Sequence, residues 1–507
     1  MEKQVAACFF VGKKPYKWYN HTMSIDINDE RSVRLERRQQ LVDAGISAYP
    51  NTVTRTHSIV QLTATFSDGG SEATIVGRVR GMRRHGGSTF IDVEDGTGKF
   101  QVFCSHGDLG NVYDTLVAKL DIGDFVQVTG TPFLTKAGQK SLKVVRLVLL
   151  SKALRPLPDK VHGLTDTEQR YRQRELDLLA NPESLATARL RSAMLQALRQ
   201  GFEAEGFLEV ETPVLQSIAG GATAKPFVTH HNTLDVDLYL RVAPELYLKR
   251  LIIGGFEKVY EVARCFRNEG VSPQHNPEFT QIEFYAAYWD YQQMMNFCEQ
   301  LLVKVVSTVR GSLEFEVDGK AVNFTAPLPR VKYIDAIREA CGLDVLEATD
   351  TELRKAVKQA GGEADPRANR GKLIDELWKT AVRPNVHRPT FVYDYPVELS
   401  PLAKRKADDP RIVEMFQLVV AGAEVIKAFT ELNDPTDQAA RFAEQDALRT
   451  AGDDEAQGTD PAFVEAMEYG MPPTAGAGLG IDRLAAILSG SHSIKEVILF
   501  PTLRPKE

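Results

Sequence analysis

The chain has 507 residues, 43% hydrophobic, 25% charged and 8% aromatic, with 61 Lys and Arg against 68 Asp and Glu for a formal charge of −7. A single core stops growing at about 250–300 residues, so this length predicts at least two domains. The composition excludes collagen-like, mucin-like and wholly disordered chains, and no apolar run approaches the roughly 18–20 residues that cross a bilayer.

Residues 1–25 read as an N-terminal extension without regular structure. Its apolar run from Val5 to Gly12 is followed by Lys13 and Lys14 without a small-residue cleavage pattern, and residues 1–22 carry four Lys and no Arg, a poor organellar presequence. Met23 is an alternative start. Cys8, Cys104, Cys265, Cys298 and Cys341 are scattered and odd in number, which suggests neither a disulfide framework nor a thiolate metal site and fits a reducing, cytoplasmic location.

The spacing of Val33, Leu35, Leu41 and Val42 predicts an amphipathic helix between Asp26 and about Ala48, with an irregular connection to residue 73. Residues 74–153 change texture. Five alternating runs, Thr74–Val79, Thr89–Val93, Phe100–Phe103, Phe125–Val128 and Leu142–Val145, are separated by turn signals such as Asp95-Gly96. They predict a small closed barrel of the OB type, which binds oligonucleotides. Residues 74–155 hold 12 basic and 7 acidic side chains, a basic island in an acidic chain that suggests a polyanion partner or a fluctuation of surface charge. Phe90, Phe100 and Phe103 beside Arg83, Arg84 and Gln101 supply the aromatics and cations that unpaired bases stack on, although barrel aromatics are more often core.

Residues 154–180, opening with Leu154-Arg155-Pro156-Leu157-Pro158, read as a linker, and residues 181–507 as a second domain mixing helices and strands. The more polar stretch 311–388 reads as an inserted helical subdomain. Phe256–Arg267 and Glu278–Tyr285 alternate with period 2 around a loop holding Gly270, Pro273 and Pro277, which predicts a hairpin of long antiparallel strands with polar side chains facing a site.

Phe266-Arg267-Asn268-Glu269-Gly270 followed by His275-Asn276-Pro277-Glu278-Phe279-Thr280 resembles motif 2 of the class II aminoacyl-tRNA synthetases, Gly476 to Leu484 resembles motif 3, and Phe207 to Pro213 resembles motif 1. Tyr171–Arg174, Ala243–Arg250 and Thr430–Pro435 are similar to segments of the bacterial-type lysyl-tRNA synthetases in particular. The resemblance extends from about residue 28 to 507. It implies an α+β chain: an OB-fold anticodon barrel, and a class II catalytic domain built on an antiparallel sheet flanked by helices.

By that resemblance Arg267 grips the α-phosphate of ATP, the adenine stacks between Phe279 and Arg483, and Glu269, His275 and Asn276 surround purine and phosphates. Glu283 and Glu431, with Tyr285 beside them, hold the ε-ammonium of L-lysine; Glu245 and the backbone near Gly221 hold its α-amino group, with Phe429 and Lys427 completing the pocket. Mg²⁺ bridges the phosphates through Glu424 and a second family carboxylate, here Gln417. Phe90 is the stacking platform for an anticodon base of tRNA(Lys), with Arg83, Gln101 and Gln139 around it, and Pro213 belongs to a homodimer interface. Each residue also has a bland reading, as core packing or a surface ion pair.

Several positions depart from the family pattern. Lys427 stands where the family has Asn and either contacts the substrate carboxylate or pairs with Glu431 or Glu245 and repels lysine; Lys225, Glu175 and Gln139 replace Arg, Tyr and Glu. Two rivals to tRNA charging follow: a paralogue that attaches an amino acid to a protein lysine, and a non-catalytic tRNA-binding protein. The barrel argues against the first and the retained nucleotide set against the second.

Overall fold

The computed structural model describes residues 29–158, 163–218, 220–222, 224–366, 368–400, 402–450 and 458–505. The N-terminal extension, Met23 and Cys8 lie outside them. The chain divides into two units, Met1–Asp159 and Lys160–Glu507.

In the first unit the helix Glu30–Asp43 starts at Asp29, whose carboxylate accepts from the Arg31 amide, and a further short helix, Ile59–Ala64, is closed by a Ser58/Gln61 capping box within the stretch read as irregular. Strands β1 (Ala73–His85), β2 (Ser88–Asp95), β3 (Gly98–Ser105), β4 (Phe125–Leu134) and β5 (Lys140–Ser151) close in the order β1-β2-β3-β5-β4. The strands outrun the sequence runs because cross-strand pairing sustains polar ends that alternation alone does not mark. Alternation sends Ile91, Val93, Phe100 and Val102 inward; of the three phenylalanines, Phe100 is core, whereas Phe90 and Phe103 lie on the opposite, half-exposed face.

The second unit is built on an eight-stranded sheet. Its strands are β6 (Leu208–Glu209), β10 (Lys258–Phe266), β11 (Glu278–Ala287), β14 (Arg330–Lys332), β15 (Thr390–Pro396), β16 (Ile412–Val420), β17 (Ala423–Thr430) and β18 (Thr474–Gly480). The order is β14-β15-β16-β17-β18-β11-β10-β6, antiparallel except at the outer pairs β14/β15 and β6/β10. Beside it, β7 (Leu215–Gln216), β8 (Phe227–His231) and β9 (Val236–Leu240) form a small sheet, and β12 (Glu314–Val317) pairs with β13 (Lys320–Asn323). The stretch 311–388 therefore holds strands as well as the helices Tyr333–Cys341, Asp350–Gln359 and Arg370–Leu377, and β14 within it is an edge of the large sheet.

The two faces of that sheet have different work. One buries Ile282, Phe284, Ile426, Ala428, Ala475, Ala477 and Leu479 against the helices Pro182–Ala204, Tyr291–Arg310 and Ile481–Ser489. The helix Tyr291–Arg310 begins at an Asp290/Gln293 capping box and ends on Gly311 at φ 71°, the left-handed conformation that closes its last turn. Met294, Cys298, Leu301, Leu302 and Val305 recur along it at helical spacing, each burial contributing on the order of 1.5–3 kcal/mol. The alternate residues, Gln281, Glu283 and Tyr285 on β11, Gly476, Gly478 and Gly480 on β18, and Lys427 and Phe429 on β17, form the floor of a cavity on the other face.

Candidate active site

The cavity has a volume of about 610 Å³ and is lined by Gly221, Glu245, Arg267, Glu269, His275, Asn276, Phe279, Glu283, Tyr285, Gln417, Glu424, Lys427, Phe429, Glu431 and Arg483. Every nucleotide, amino-acid and metal residue named from the sequence thus meets in one place, whereas Pro213 lies on the exposed segment beside β7. Antiparallel register explains the convergence. Glu283, Gly478, Lys427 and Gln417 form one row across β11, β18, β17 and β16, and Tyr285, Gly476, Phe429 and Met415 form the row beside it.

At one end the acids converge. Glu245 opens the helix Glu245–Ile253, and one turn on Lys249, fully buried, donates to Glu245 Oε1 at 2.6 Å and lies 2.5 Å from Glu431 Oε2. Burial opposes the Lys249 charge, but the two carboxylates more than offset it and hold the ammonium above its ordinary range. Glu431 Oε1 has no hydrogen-bond partner among the described residues, and burial, only partly countered by Lys249, pushes Glu431 up to about 8. Glu283 accepts from Gln281 Nε2 at 2.6 Å and from the Tyr285 hydroxyl at 3.4 Å; burial, reinforced by the Glu245 charge, raises it well above the carboxylate range. Gly476 keeps this end open, since a Cβ there would overlap Glu431 and Tyr285, and Gly221, at φ +88°, packs so close to Glu245 that its Cβ would lie 2.9 Å away.

At the other end Arg267 ends the β10 hairpin arm. Its guanidinium sits 5.0 Å from the Phe279 ring centroid and its Nε is buried without a partner among the described residues. Arg483, in the first turn of the helix Ile481–Ser489, donates to the Glu424 carbonyl at 3.0 Å and lies 3.4 Å from His275 Nε2. Burial and the Arg483 charge lower the His275 pKa and keep its imidazole neutral at pH 7. Asn276 spends both ends of its amide on backbone, donating to the Glu278 carbonyl at 2.6 Å and accepting from the Thr502 amide at 3.2 Å, and so braces the loop that carries its neighbours. Glu269 is exposed at the mouth.

The donors offered to a resident divalent cation are poor. Glu424 is one carboxylate, Gln417 is a neutral amide, and Lys427 puts an ammonium on the strand position paired with Gln417. No group of three or more His, Cys, Asp or Glu able to hold a metal occurs among the described residues. Hard cations need anionic oxygen donors, and this set does not fit one held by the protein.

Two sequence families cover this architecture. The model for tRNA synthetases class II (D, K and N) matches residues 166–504, and the model for the OB-fold nucleic acid binding domain matches residues 73–150. The chain is 46% identical over 487 residues to the lysine–tRNA ligase of Pelotomaculum thermopropionicum, covering 95% of this chain and 96% of the relative. It is 47% identical to that of Moorella thermoacetica (95% and 99%) and 48% identical to that of Roseiflexus castenholzii (95% and 100%). The chain belongs to the lysyl branch of the class II tRNA synthetases.

In this synthetase Lys249, Gln281 and Tyr395 join the residues that the sequence marks. Lys249 had a signal, its i,i+4 spacing from Glu245 on a helix. Gln281 alternates in phase with Glu283 on β11. Tyr395 lines the cavity with its hydroxyl buried and without a hydrogen-bond partner among the described residues, and nothing local marks it.

On the outer face of the barrel Phe90 pairs across the strands with Phe103, ring centroids 4.9 Å apart, and Phe103 reaches Phe133 at 5.9 Å. Arg83 bridges Asp92 at 3.2 Å and donates to Gln101 Oε1 at 3.0 Å, while Gln101 donates to Ser141 at 2.9 Å. Gln139 sits apart in the β4–β5 turn, donating to the Lys140 carbonyl at 3.4 Å.

Proposed function

We propose that the chain is a lysine–tRNA ligase, which joins L-lysine to the 3′ end of tRNA(Lys) through a lysyl-adenylate formed from ATP and releases AMP and pyrophosphate. The observation that carries this reading is the charge of the buried end of the cavity. Glu245, Glu283 and Glu431 bring three carboxylates, Lys249 neutralises one, and two negative charges remain for the two ammonium groups of free lysine. An acidic or neutral amino acid would leave buried carboxylates unpaired, at several kcal/mol.

The chemistry then needs no protein nucleophile. The lysine carboxylate attacks the α-phosphate in line, and the side chains position the two substrates and stabilise the developing charge. Arg267, with its Nε uncommitted, faces that phosphate; Arg483 and Phe279 flank the adenine, and neutral His275 donates or accepts a hydrogen bond without adding charge. Glu283 and Glu431 take the ε-ammonium and Glu245 with the backbone at Gly221 the α-amino group. ATP arrives as its Mg²⁺ complex, the metal being part of that substrate.

The outward aromatic pair Phe90 and Phe103, framed by Arg83 and Gln101, supports stacking of anticodon bases. A homodimer is supported by exposed apolar side chains on the segment that carries Pro213, namely Leu208, Val214 and Leu215. A cytoplasmic enzyme accords with free Cys104, Cys265, Cys298 and Cys341, and no helix among the described residues is long and apolar enough to cross a membrane. The deciding experiment is amino-acid-dependent ATP/pyrophosphate exchange with each standard amino acid; exchange with lysine alone is expected, and its absence would remove the reading.

A further inference from the structure

The middle row of the cavity floor, Glu283, Gly478, Lys427, Gln417, places a cation where the substrates' anionic groups would lie. Gly478 has no side chain, so the floor is open between Glu283 and Lys427. Lys427 is half-buried and has no hydrogen-bond or ion-pair partner among the described residues, although several carboxylates line the same cavity. An ammonium desolvated to that degree without a partner is costly unless an anion arrives to meet it. The cavity end that receives lysine already has Lys249 as its internal cation, so Lys427 is not needed there.

Its neighbours say what it stands in for. On one side, in the paired position of β16, is the neutral amide of Gln417; three positions back on its own strand is Glu424, the carboxylate at the edge where Arg483 is anchored. One carboxylate, one amide and one ammonium carry the same local charge, zero, as two carboxylates holding a divalent cation. A lysine ammonium is also a compact point charge with three donors, suited to phosphate and carboxylate oxygens alike.

We propose that the Lys427 ammonium, set beside Gln417, is a built-in replacement for a protein-held divalent cation, contacting the ATP phosphates and the attacking carboxylate, so that this enzyme needs no metal beyond the one ATP carries. This rests on the adenylation reading above. It makes Lys427 a substrate-contacting residue instead of a block on lysine binding. A dication cannot share the place, because it would meet an ammonium and only one carboxylate.

The test varies free Mg²⁺ at fixed, saturating MgATP in lysine-dependent pyrophosphate exchange, and counts Mn²⁺ bound per active site by EPR in the presence of ATP and lysine. The wild-type rate should not rise with free Mg²⁺. Lys427→Asn should lower kcat/KM for ATP on the order of tenfold or more, and Lys427→Asn with Gln417→Glu should regain activity only as free Mg²⁺ is added, binding one more Mn²⁺ per site than wild type. A wild-type rate that climbs with free Mg²⁺, or equal Mn²⁺ counts in wild type and the double variant, overturns the proposal. The wild-type titration decides alone if the variants do not fold. Lack of lysine-dependent exchange at every Mg²⁺ concentration would instead overturn the adenylation reading.

Discussion

Lys249 Nζ lies 2.5 Å from Glu431 Oε2, and neither side chain is exposed to solvent. The proposed lysine pocket thus contains a lysine of its own, which sets how many negative charges the cavity presents. Removing it should be expensive. Lys249→Met leaves the buried carboxylates of Glu245 and Glu431 without their shared cation, and loss of one partner of a buried ion pair costs about 3–5 kcal/mol. Urea denaturation should show that loss, together with lysine KM raised; an unchanged midpoint would mean the carboxylates simply protonate at no cost.

Lysine binding should release protons. Burial, which outweighs its ion pair, pushes Glu431 up to about 8, and burial with the Glu245 charge raises Glu283 well above the carboxylate range, so an arriving ammonium favours release of the protons these carboxyls hold. Affinity for lysine should therefore climb as pH rises toward about 8. The sign for stability is the reverse. A carboxyl held above its unfolded value stabilises the ligand-free fold below that unfolded value, and the contribution is lost as pH rises through the folded one. Calorimetry of lysine binding in buffers of different ionisation enthalpy would read the proton release, and Glu431→Gln should diminish it.

Gly476→Ala should close the lysine end specifically. The added Cβ would overlap Glu431 and Tyr285, and overpacking of this kind costs about 1–3 kcal/mol, equivalent to about a 5- to 150-fold loss in lysine kcat/KM. ATP affinity, measured by fluorescence or calorimetry, should hold. Equal losses for both substrates would show that the glycine serves the sheet and not the pocket.

Activation and tRNA recognition should separate by domain. Phe90→Ala removes the outward ring facing Phe103 and should weaken tRNA charging by the about 1–3 kcal/mol that one stacked base contributes, leaving pyrophosphate exchange intact. Arg267→Ala should abolish exchange, since its guanidinium is the one proposed to grip the α-phosphate, and its Nε has no partner among the described residues. If Phe90→Ala lowers exchange as much as charging, the barrel has a role in the chemistry that this division denies.

Local sequence carried a good deal of this molecule. Alternation marked all five barrel strands and the β10–β11 hairpin, because a side-chain period of two is a property of the strand itself. Arg267, Glu283 and Arg483 were recognisable because motif order along the chain preserves them, and Gln417 and Lys427 stood out as departures from it. The inward turn of Phe100 against the outward turn of Phe90 and Phe103 was open, since alternation gives two faces without saying which one the barrel closes on.

What the tertiary structure alone decided is which distant residues share a charge balance. Glu245 and Lys249 are one helical turn apart and could be read together, but Glu431 reaches Lys249 only because β17 lies two strands from β11 in the sheet order. The unpaired state of Lys427, the glycine floor beneath the substrates and the use of Asn276 as a loop brace arise in the same way. Register between strands far apart in sequence fixes each of them, and pairwise electrostatics in a buried site depend on those distances, to which residue type and spacing along the chain are blind.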